Sequence, residues 1–96
     1  MKENIETEIT FKPGSRPQLP MGSGYAPHLV AKGEQTWLGV RFVDFPADAQ
    51  FGVPCRVTVE LLYPDKLDYD ILNSGAEFAV HEGPNIVATG RVLRTK

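Results

Sequence analysis

The chain reads as an all-β protein, a small antiparallel barrel or sandwich of six short strands. Three observations predict it. Apolar and polar residues alternate with a period of two in separate segments along the chain. Proline or glycine stands at nearly every junction between those segments. No segment carries a convincing helical period. A closed barrel suits so short a chain better than a sandwich, because closure leaves no unpaired edge. The 96 residues are expected to form one domain, 1–96, with a radius of gyration of about 12–13 Å.

In the first strand Ile5, Thr7, Ile9 and Phe11 alternate with Glu6, Glu8, Thr10 and Lys12, which gives a half-buried strand with an acidic outer face. Pro13-Gly14-Ser15 ends it, and the proline- and glycine-rich stretch from Gly14 to Gly24 is a long loop. Tyr25 to Ala31 is the second strand, and Pro27 marks it as an edge strand or a strand start, since proline cannot donate to a ladder. Lys32-Gly33-Glu34-Gln35 turns the chain. Strand three places Leu38, Val40 and Phe42 on one face and Trp37, Gly39 and Arg41 on the other. After a loop from Pro46 to Pro54, strand four runs from Cys55 to Tyr63, with Cys55, Val57, Val59, Leu61 and Tyr63 in phase. Asp65 to Gly75 is acidic and polar, a connecting loop or a helical turn. Strands five and six, about Ala76–His81 and Ile86–Leu93, form a hairpin around Glu82-Gly83-Pro84-Asn85. The expected interior is Ile9, Phe11, Val40, Phe42, Val57, Val59, Leu61, Phe78 and Val80.

A net charge of −2 provides no basic field to draw in nucleic acid or an anionic membrane. One cysteine excludes an internal disulfide framework and fits a reducing compartment. The first residues form no apolar leader, and no apolar run approaches the 18 or so residues of a membrane span. A soluble, cytoplasmic protein with no appended domain is therefore expected.

Four motifs, met in order, resemble a known family. Ile5-Glu6-Thr7-Glu8-Ile9 is similar to Val-Glu-Ala-Glu-Val, and Gly24-Tyr25-Ala26-Pro27-His28 to Gly-Tyr-Arg-Pro-Gln. Leu61-Leu62-Tyr63-Pro64 is similar to Leu-Ile-His-Pro. Phe78-Ala79-Val80-His81-Glu82-Gly83, followed by Ala88-Thr89-Gly90-Arg91-Val92, resembles Phe-Ala-Ile-Arg-Glu-Gly and Gly-Ala-Gly-Val-Val. Together they resemble the C-terminal β-barrel, the third domain, of translation elongation factor Tu. The resemblance implies a six-stranded antiparallel Greek-key barrel standing without the GTPase domain. It also implies a tRNA contact at Glu82 and Gly83. His81, Pro84-Asn85 and Ala26 stand where that family has arginine-bearing motifs, so positive charges that could face phosphate are absent, and tRNA binding is expected to be weak.

The remaining chemistry is sparse. No Gly-x-x-x-x-Gly-Lys-Ser/Thr loop is present, so no nucleotide site is expected. Cys55, His28 and His81 lie far apart in sequence without a ligand-pair motif, and no metal or other cofactor is expected. Cys55 falls in phase with Val57 and Val59 as a small buried hydrophobe. Asp65, Asp68 and Asp70 lack the spacing of a calcium loop and read as solvated. Glu82 is a turn carboxylate or an inherited ligand contact. Trp37 is either an exposed hot spot beside Arg41 or is covered by the Gly14–Gly24 loop. The expected function is a non-catalytic binding module that docks a protein partner or itself. The alternative is an RNA-binding module contacting tRNA or another structured RNA through Glu82-Gly83. An enzyme is not expected.

Overall fold

The computed structural model describes residues 4–20 and 24–95, so Met21-Gly22-Ser23 of the long loop lie outside the described residues. Six antiparallel strands close into a barrel: β1 (Asn4–Phe11), β2 (His28–Ala31), β3 (Leu38–Asp44), β4 (Cys55–Leu61), β5 (Glu77–Glu82) and β6 (Asn85–Thr95). Their order around the wall is β1-β4-β3-β2-β5-β6, and β6 pairs back onto β1. β2, β3 and β4 form a meander, and the long 12–27 connection brings β1 beside β4, which is a Greek key. The Cα radius of gyration is 12.1 Å.

All nine residues expected inside are buried, joined by Ile5, Leu29, Leu38, Val87, Ala88 and Val92. Thr7 is the one buried polar side chain among the described residues, and its hydroxyl donates to the Val57 carbonyl at 2.8 Å. That bond satisfies a group whose burial would otherwise be costly. Gly90 pairs with both Phe78 and Ile9, and the buried Phe78 ring occupies the space a side chain at Gly90 would need. The β5–β6 reversal is a two-residue turn between Glu82 and Asn85. Gly83 takes a φ of +57° at its first position, and proline supplies the negative φ of the second.

Three expectations need correction. β2 begins at His28, after Pro27, and residues 24–27 still bond to β3 through Tyr25 and Pro27 carbonyls, at 2.7 and 3.2 Å. Proline lacks the N–H for a full ladder at that point. β4 ends at Leu61, and Tyr63 does not continue its inward face. The Tyr63 N–H donates to the Tyr69 hydroxyl instead, and Tyr63 is half exposed. Cys55 is only partly buried, at the rim of the core where β4 starts. The polar 65–75 connection contains one 3₁₀ turn, Tyr69–Ile71, capped by the Asp68 carboxylate, which accepts from the Asp70 N–H at 2.9 Å. This turn drives Tyr69 and Leu72 into the core, and the Tyr69 hydroxyl donates to the Gly39 carbonyl at 2.7 Å.

Candidate functional site

Barrel closure fixes which outward side chains become neighbours, because cross-strand partners share a face. His28 of β2 pairs with Gly39 of β3 on one side and with His81 of β5 on the other. His81 pairs in turn with Ile86 of β6. These positions make one row on the outside of the wall. Trp37, just before β3, lies against this row, its ring centroid 5.5 Å from that of His28 and 4.7 Å from that of His81. The indole remains 42% exposed, and Ile86 is exposed to a similar degree. Gly39 extends the same surface. A Cβ there would fall 2.7 Å from the Tyr63 ring, so the absence of a side chain is what lets the Tyr63 ring approach β3 this closely. The result is a ridge of Tyr63, Trp37, two imidazoles and Ile86.

Trp37 is thus on the outer face and 42% exposed. Arg41 shares its side of β3, but Gly39 and the Tyr63 ring lie between them along the strand, and Arg41 pairs with its cross-strand neighbour Glu60. The ridge is therefore built from Trp37 and histidines instead of from Trp37 and Arg41. The long loop works at the barrel end. Arg16 lies over the Tyr25 ring at 5.0 Å and pairs with the Glu82 carboxylate at 2.9 Å. The Tyr25 hydroxyl donates to that same carboxylate. Glu82 thereby fastens the hairpin to the loop, while Gly83 is at the tip with open space beyond its Cα.

No protein-family model matches the chain, and no curated protein matches it.

The electrostatics of the surface are local. Arg16, Lys32, Arg41, Arg91 and Arg94 each face a glutamate: Glu82, Glu77, Glu60, Glu8 and Glu6 respectively. The four pairs other than Arg16–Glu82 lie at the surface and contribute little stability, on the order of 0–1 kcal/mol each, and the five together engage five of the ten basic side chains. Among the described residues no group of three or more His, Cys, Asp or Glu side chains could hold a metal ion. No helix among them is long and apolar enough to cross a membrane. The Cys55 thiol is pushed up from its ordinary range by burial and, secondly, by the nearby Asp48. A raised thiol is a poor nucleophile at neutral pH.

Burial, and then the hydrogen bond to Glu82, push the Tyr25 hydroxyl far above the ordinary tyrosine range, and burial raises Tyr69 as well. Both phenols keep their protons in the folded state after the unfolded chain has lost them. Stability from these groups is full below about pH 10, the unfolded value, and is lost as pH rises above it. Urea midpoints measured between about pH 9 and 11 are expected to fall, and to fall less steeply in Tyr25→Phe.

Sequence reading found Trp37 but missed the two histidines, which are joined only by the β2–β5 pairing. The signal that could have found them is register: aligning Leu29 with Val80 as inward neighbours puts His28 opposite His81.

Proposed function

We propose that this barrel is a non-catalytic docking module of the cytoplasm, similar in design to the third domain of elongation factor Tu, that takes a protein partner on the Trp37 ridge. The supporting observation is a tryptophan left 42% exposed yet held by two imidazoles. Aromatic side chains dominate the binding energy of protein interfaces, and one already ordered loses less entropy on docking. Tyr63 and Ile86 extend the apolar area on either side. The single thiol, which can form no internal disulfide, suits a reducing compartment.

The test is quantitative affinity capture from native lysate after nuclease treatment, followed by mass spectrometry. Trp37→Ala is expected to weaken retention of the partner at least about tenfold, the scale of a hot-spot truncation near 1.4 kcal/mol or more. Arg41→Ala, already paired to Glu60, is expected to leave it within about threefold. Equal retention by wild type and Trp37→Ala would remove the ridge from the interface.

The RNA reading through Glu82-Gly83 has less support, because the Glu82 carboxylate is engaged by Tyr25 and Arg16, and Arg16, the basic side chain beside the hairpin, is paired with it. Any tRNA affinity is expected in the range of non-specific binding, roughly 1–100 μM near physiological salt. Sub-micromolar binding that weakens with salt and drops in Glu82→Ala would reverse the preference.

A further inference from the structure

A second row crosses the outer wall nearer the other end of β5. Lys32 follows β2, Glu77 is on β5, Arg91 on β6 and Glu8 on β1, each beside the next in the ladder. Their charges alternate along the row: positive, negative, positive, negative. The contacts within it are long, 3.7 Å for Lys32–Glu77 and 3.6 Å for Arg91–Glu8; Lys32, Glu77 and Arg91 are well exposed and Glu8 is partly exposed. Together with His81 and Ile86 they bound one depression on the wall.

The period of this row is the strand spacing, about 4.8 Å. Successive turns of a helix come every 5.4 Å or so. Same-face residues of an extended strand come roughly every 6.7 Å. Both drift out of step over four charges, whereas another sheet keeps pace. Sign then selects which sheet. A four-membered alternating row, read backwards, has every sign reversed, so it is complementary to itself about a two-fold axis.

We infer that this face pairs with the same face of a second copy of the chain, the two-fold axis running along the strands between β5 and β6. Glu77 then faces Arg91 of the second copy, and Lys32 faces Glu8 of the second copy. The same operation sets Ala79 against Thr89 and His81 against Ile86, so no charge is driven onto an apolar row. Because the charges are exposed and the patch is small, the association is weak and sensitive to salt. The inference rests on the reading of the barrel as a docking module and names one occupant.

Sedimentation equilibrium on wild type, Glu77→Lys, Arg91→Glu and an equimolar mixture of the two variants tests it. Wild type should associate reversibly, about tenfold more weakly at ~0.5 M than at ~0.05 M salt. Each variant alone should be at least about tenfold weaker, since both central pairs become like-charged. The mixture should regain wild-type strength, because both central pairs are again opposite in sign. Wild type that stays monomeric at ~0.5 mM, or a mixture no stronger than its components, overturns the inference. Circular dichroism checks the fold of each variant, and the salt dependence of wild type decides the matter if one fails to fold. A monomer whose captured partner is still lost in Trp37→Ala overturns the second copy alone and leaves the docking reading standing.

Discussion

Phe42→Ala is expected to lower the unfolding free energy by about 3–5 kcal/mol, the usual cost of emptying a large aromatic site. Phe42 is fully buried and sits at the centre of an aromatic group. It meets Tyr25 edge-on at 5.0 Å and Phe11 edge-on at 6.3 Å, and stacks on Phe45 at 6.0 Å. Its backbone also joins β3 to the start of the β2 region, with the N–H donating to the Tyr25 carbonyl at 2.7 Å. A chain of this length has only about 5–10 kcal/mol in total, so the variant should be close to its unfolding threshold at room temperature. Urea unfolding measures it. A loss below about 1 kcal/mol would mean that neighbouring rings collapse into the space, and that the aromatic group is not a rigid core.

Gly90→Ala should be the most harmful small substitution, by about 1–3 kcal/mol or more. A Cβ at this position would fall 2.5 Å from the Glu8 carbonyl oxygen, 2.9 Å from Ile9 Cγ1 and 2.9 Å from Phe78 Cζ. The two side chains could shift, but the carbonyl belongs to β1 and can move only if the β1–β6 ladder opens. Gly39→Ala is an informative contrast. Its Cβ would meet only the edge of the Tyr63 ring, which is half exposed and free to swing outward. The first variant should lower the urea midpoint strongly and the second mildly. Equal midpoints would contradict the packing of β6 against β1 described above.

The barrel was legible because alternation in β1, β3, β4 and β5 leaves no choice of inward face. Thr7 shows how far this goes: its phase places it inside although it is polar, and it is inside, bonded to Val57. Reading failed where the period breaks. A bulge in β6 opposite Val80 and His81 shifts the register, so Val87 and Ala88 are both buried although they are adjacent. Tyr69 and Leu72 were hidden among aspartates, because a single 3₁₀ turn shows no periodicity. Of the ridge, Trp37 was visible as an apolar residue on a polar face. Its histidine neighbours were not, because only the register between β2 and β5 brings them together. Arg41 matched the alternation but not the pairing, which gives it to Glu60.

Trp37 is the only tryptophan in the chain, so its emission reports the ridge directly. The decisive measurement is its fluorescence during titration with the purified captured partner and, separately, with tRNA. A saturable blue shift with the partner, absent with tRNA at physiological salt, is the predicted result. An emission spectrum unchanged by a partner that demonstrably binds, or one shifted by sub-micromolar tRNA, would contradict it.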